Sequence, residues 1–123
     1  MTVPRGYEDA IRLQDAHEIL VLGGHVAFDA DRKIVHPGSL VGQFRLAVRN
    51  LRTTLSTAGF GPEHVVKLTI HVTNVDDYRA NLKELGVIWK EEFGRHYPAM
   101  TLLGVNGLME VGSVVEIDGL AAK

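Results

Sequence analysis

Residues 39–73 read SLVGQFRLAVRNLRTTLSTAGFGPEHVVKLTIHVT, and this run decides the fold because two hydrophobic periods meet in it. Leu40, Phe44, Ala47, Val48, Leu51 and Leu55 recur at three- and four-residue spacing, the mark of an amphipathic helix. Ser39 stands where an N-cap hydroxyl is needed, and Gly59 stands where a left-handed residue ends the helix. After Val65 the period drops to two. Val66, Leu68, Ile70 and Val72 fall on one side of a strand, with Lys67, Thr69, His71 and Thr73 on the other. The run predicts a helix packed on the apolar face of a sheet whose second face is polar.

Outward from this run, the N-terminal third predicts two extended segments, residues 10–13 and 18–28, joined by a hairpin turn over residues 14–17. The second segment carries Ile19, Leu20, Val21, Leu22 and Val26 around the pair Gly23-Gly24. On the other side, Tyr78, Leu82, Leu85, Trp89 and Phe93 predict a second helix from Asn74 to a stop at Gly94. Gly86 inside it costs the helix about 1 kcal/mol relative to Ala. Strands over residues 100–105 and 113–120 close the chain, linked by a turn-rich stretch with Asn106-Gly107 and Gly112. The order predicts an α+β fold: a mixed sheet with two helices on one face. On the last strand Val115 and Ile117 share one parity, and Val114, Glu116 and Asp118 the other, so the second face is mixed in character. Such a face suits a subunit interface holding a polar cleft, which predicts an oligomer.

Composition narrows the function. The 123 residues are 46% apolar and 23% charged, enough for one core, and no linker or repeat divides residues 1–123 into further domains. A net charge of −2, with 13 basic and 15 acidic residues interspersed, provides no basic field for nucleic acid. The absence of cysteine excludes disulfides and thiolate chemistry and fits a reducing cytoplasm. No stretch approaches the ~20 apolar residues of a membrane helix, and no signal core is visible, so a cytoplasmic location without membrane association is expected. The six histidines are scattered rather than set at ligand spacing, so neither a metal site nor an organic cofactor is expected.

Five blocks carry a resemblance. Gln43-Phe44-Arg45 through Asn50-Leu51, Ala58-Gly59 and Val65-Val66-Lys67-Leu68-Thr69 form the longest. Gly23-Gly24-His25-Val26, Gly6-Tyr7-Glu8-Asp9-Ala10-Ile11, Tyr97-Pro98-Ala99-Met100-Thr101 and Val114-Val115-Glu116-Ile117-Asp118 complete the set. In this order, over nearly the whole chain, they resemble the reactive intermediate deaminase family, also called RidA or YjgF. The resemblance implies a chorismate-mutase-like fold assembled as a homotrimer, with the sheets forming a central barrel, helices outside and three clefts between subunits. It implies cofactor-independent hydrolysis of enamine or imine intermediates to a carbonyl compound and ammonia. In active members an Arg of a Pro-Ala-Arg motif pairs with the substrate carboxylate, a Glu on the last strand positions water, and backbone groups near a Gly-rich strand hold it.

The chain departs from this pattern at the Arg, which is Met100. A guanidinium binds a carboxylate through two charge-assisted hydrogen bonds, whereas a thioether offers dispersion and a weak acceptor. Turnover of 2-imino acids by the family's route is therefore not expected. The second helix also carries about four residues more than typical members, close to one turn, which puts Gly86 where many have Asn.

The resemblance makes Glu116 the catalytic candidate; the alternative is a strand Glu in an ion pair with Lys67 or Arg95. Tyr7, Gly23, Gly24, His25, Met100 and Thr101 are the substrate-binding candidates. Tyr7 either covers the cleft or is a surface tyrosine, and Gly23 and Gly24 either expose amides to a ligand or relieve crowding at a strand bend. His25 serves as a proton carrier if it faces the cleft. Met100 either lines a pocket or fills an interface gap, and Thr101 either bonds a ligand or is an ordinary strand residue. Trp89 and Phe93 read as core.

Overall fold

The computed structural model describes residues 7–123. Four strands, β1 (Ile19–His25), β2 (Val65–Val72), β3 (Ala99–Gly104) and β4 (Val115–Ala122), form one mixed sheet in the order β1-β4-β2-β3. β2 and β3 run parallel, and β4 is antiparallel to both its neighbours. Among the described residues three α-helices, α1 (Leu40–Thr57), α2 (Val75–Ala80) and α3 (Leu82–Phe93), complete the α+β fold, and α1 and α3 share one core with the sheet. Among the described residues no helix is long and apolar enough to cross a membrane.

The helix of the deciding run forms as its pattern dictates. Ser39 Oγ accepts from the Gly42 amide, and Gly59 takes a φ of 82° just past the Ala58 cap. Its apolar stripe, from Leu40 to Leu55, is buried against Leu68, Ile70, Val115 and Ile117. Gln43 is the polar exception. Fully buried, it donates to the carbonyls of His36 (3.1 Å) and Gly112 (2.7 Å) and accepts from the Val114 amide (2.9 Å). It thus ties two loops to α1 with no side-chain atom left unpaired. Arg45 pairs with Glu91, while Arg49 and Arg52 both reach Glu92, bridging α1 to α3.

Five expectations change. Residues 10–13 form no strand, and Leu13 is exposed; before them, Glu8 makes an isolated parallel bridge with Ala99, its amide donating to Pro98 O. Instead of a hairpin, the amides of His17 and Glu18 both donate to the Lys123 carbonyl, so the chain joins the sheet at its far end. Without a ladder of backbone hydrogen bonds to a neighbouring strand, nothing fixes residues 10–13 as a strand. On β2 the buried residue at the start is Val65, not Val66, because a bulge sets two residues of β2 against one step of β4 and reverses the facing.

The second helix is broken at Asn81 (φ −115°, ψ 17°), whose side-chain Nδ2 donates to both Asp77 O and Asp77 Oδ1. That local bond competes with helix continuation, as Asn side chains do. The last strand lies two residues later than expected, because Ala121 and Ala122 pair with Leu20 and Ile19.

The sheet face away from the helices carries Glu116, Asp118, Lys67, Thr69 and His71, all half-buried, with the exposed apolar residues Ile19, Val21, Leu103 and Leu120 around them.

Candidate active site

α2, α3 and β3 enclose an open cavity of about 690 Å³ on the helix side of the sheet. β3 contributes Met100, Thr101 and Leu102; Tyr97 precedes it and Tyr7 lies at the mouth. The helical wall comes from Tyr78 and then Leu82, Gly86 and Lys90, which follow one another at four-residue spacing on α3. Leu85 and Trp89 belong to the adjacent buried stripe.

The aromatic walls are held rather than loose. Trp89 stacks on Phe93 at 4.1 Å between centroids, and its indole N–H donates to the His96 carbonyl at 3.0 Å. His96 in turn donates from Nε2 to Val65 O (2.7 Å), and Tyr78 meets Phe44 edge-on at 6.4 Å. Burial alone pushes the Tyr78 phenol above its ordinary value of 10.0, so it stays neutral through the physiological range. Lys90 is the one charged residue of the lining, exposed and without an ion-pair or hydrogen-bond partner among the described residues.

A second cluster lies where β1 meets β4. The register of β1 shifts between Leu22 and His25, so Gly23 and Gly24 sit in a bulge. The bulge splits two neighbours. His25 turns toward α1, with Nδ1 donating to Gly23 O (2.7 Å) and Nε2 bonded to the Thr54 hydroxyl (2.7 Å). Gly24 faces the opposite way, against Glu116: a Cβ built there would lie 2.7 Å from Glu116 Cδ. The Glu116 carboxylate makes no ion pair or hydrogen bond among the described residues, and Lys67 donates instead to Thr101 Oγ1 (2.6 Å). Beside it, His71 Nδ1 donates to Glu116 O at 3.2 Å and lies 3.8 Å from Asp118 Oδ2.

Tyr7, Met100 and Thr101 thus border the large cavity, Gly24 and Glu116 meet on the other sheet face, and His25 belongs to neither. Met100 pairs in register with buried Leu68 and packs against the core while lining the cavity. Tyr78, Leu82, Lys90 and Tyr97 escaped the reading of the sequence as site residues. The signal was present for two of them, since Leu82 and Lys90 share a helical stripe with Gly86, the position at which the resemblance marked a departure. No group of three or more His, Asp or Glu able to hold a metal ion occurs among the described residues.

This fold defines a class, the YjgF/Rid type of small α+β protein. The solved Rid-family protein YyfB from Yersinia pestis, of unknown function, superposes with a TM-score of 0.84 at 28% identity, over 96% of this chain and 87% of that one. The chain belongs to the family described as Endoribonuclease L-PSP, whose profile matches residues 2–123. It is 31% identical to protein DfrA of Myxococcus xanthus over 95% of this chain and 85% of that protein. It is 27% identical to the mouse 2-iminobutanoate/2-iminopropanoate deaminase over 95% of this chain and 81% of the mouse protein.

Proposed function

We propose that the protein hydrolyses a small enamine or imine that lacks a carboxylate, without a cofactor, as a homotrimer whose clefts lie between subunits. The observation that carries this reading is Met100 on the wall of an apolar cavity. A carboxylate placed against it would lose its hydration without gaining a bidentate partner, at a cost of several kcal/mol. Lys90 does not replace the guanidinium: it is an exposed, hydrated point charge at the rim, without the planar fork. The mouse relative's name supplies the reaction type, and the missing Arg changes the substrate.

Glu116 is the group suited to activating water, since its carboxylate is half-buried and unpaired among the described residues. Water adds to the C=N carbon and gives up a proton to Glu116. That proton passes to the nitrogen, and the carbinolamine collapses to a carbonyl compound and ammonia. In one chain Met100 and Glu116 occupy opposite faces of the sheet. They act on one molecule only when Glu116 comes from a second copy, and the apolar Ile19, Val21, Leu103 and Leu120 on the uncovered face favour such an assembly. The net charge of −2 favours a small molecule over RNA.

The test generates imines in situ with an amine oxidase and, separately, with an amino-acid oxidase. The protein is expected to accelerate hydrolysis of the amine-derived imines and not of the imino acids. Glu116→Gln is expected to lower that rate about 100-fold or more. Equal rates for both imine types, or full activity in Glu116→Gln, would overturn the proposal. Ligand-induced thermal stabilisation with no turnover would instead favour a non-catalytic metabolite-binding protein, a reading supported by a cavity lining that holds no acidic residue among the described residues.

A further inference from the structure

We propose that Gly86 is a specificity-determining residue: its missing side chain keeps open the part of the cavity that receives an aryl or bulky alkyl group of a neutral imine. This rests on the function proposed above and names its substrate class. Gly86 sits inside α3, where glycine is a poor choice for the helix. Neither of the usual structural reasons for glycine applies. Its φ is not in the left-handed region, and a Cβ built there meets no atom within 4 Å. What glycine contributes at this position is therefore empty space, and that space belongs to the cavity, because Gly86 lines it.

The remaining walls state what the space suits. At about 690 Å³ the cavity lies in the range of roughly 300–1,000 Å³ that holds drug-sized ligands, far more than a short alkyl imine fills. Trp89 and Tyr78 are held by ring contacts, and Met100 and Leu102 form an apolar floor. Fixed aromatic faces favour a ring stacked or edge-on against them. Lys90, one turn after Gly86, disfavours a cationic group at the rim, so the cavity prefers the imine or carbonyl to the parent ammonium.

Trp89 is the chain's one tryptophan and borders the cavity, so its fluorescence reports occupancy directly. Titrations use benzylacetone as the aryl ketone product, acetone as the small ketone and pyruvate as the small acid. Benzylacetone is expected to bind at least about ten times more tightly than acetone or pyruvate, as burial of a phenyl ring implies. Gly86→Leu is expected to abolish that preference, while Gly86→Ala keeps most of it; both should melt cooperatively and no lower than the wild type. Unchanged benzylacetone binding in a folded Gly86→Leu, or no preference over acetone in the wild type, overturns the inference.

The catalytic assay separates this result from the proposal it rests on. Equal kcat/KM for short and arylalkyl imines leaves the hydrolase standing and removes the role of Gly86. Selective benzylacetone binding that Gly86→Leu abolishes, with no imine hydrolysis, removes the hydrolase and upholds the cavity.

Discussion

The two faces of the sheet are built by the same strands and differ in almost every physical respect. On β4, Val115 and Ile117 are fully buried beneath the helices, while Glu116, Asp118 and Leu120 point to the uncovered side. The covered face closes within one chain. The uncovered face mixes the Glu116 carboxylate, unpaired among the described residues, a histidine beside Asp118, and Ile19 and Val21, which are 66% and 75% exposed. Alternation along a strand thus assigns burial to one parity and a mixed, partly exposed character to the other.

The largest test of this contrast lies within β4 itself. Ile117→Ala is expected to destabilise the fold by about 2–5 kcal/mol in urea unfolding, because it opens a cavity in a packed core. Leu120→Ala, three residues away and 37% exposed, is expected to cost about 0.5 kcal/mol or less in dilute protein. Its effect should appear instead as a weaker subunit association by sedimentation. Comparable unfolding losses for the two would erase the distinction between the faces.

A smaller effect probes how the covered side is locked. Gln43→Ala removes one buried partner from three backbone groups and is expected to cost about 1–3 kcal/mol, with faster amide exchange at Val114. The smallest concerns Tyr78, whose folded phenol has a raised pKa. Its contribution is complete below pH 10.0 and is lost as the pH rises beyond it, because the unfolded phenol ionises first. Tyr78→Phe is expected to flatten the fall of the melting temperature above pH 10.0.

Much of this was legible in advance. The N-cap at Ser39, the stripe of α1 and the alternation of Leu68, Ile70 and Val72 are local patterns whose periods impose a face on any fold containing them. Glu116 and Gly24 were readable as candidates separately; that the carboxylate lies over the glycine was not, because it depends on the pairing of β1 with β4. The cavity was hidden for the same reason. Tyr97, Met100 and the Gly86 stripe come from segments whose approach is set by the β2–β3 parallel pairing and by the break at Asn81.

The sequence by itself determined an α+β chain with one apolar face and, having no cysteine, no thiol chemistry. Tertiary structure alone decided that Met100 opens on the helix side, that His25 turns to Thr54 and that Glu116 looks the other way. The physical reason is the period of two in a strand. A single bulge reverses every facing beyond it, and bulges arise from cross-strand register, which no local window of residues contains.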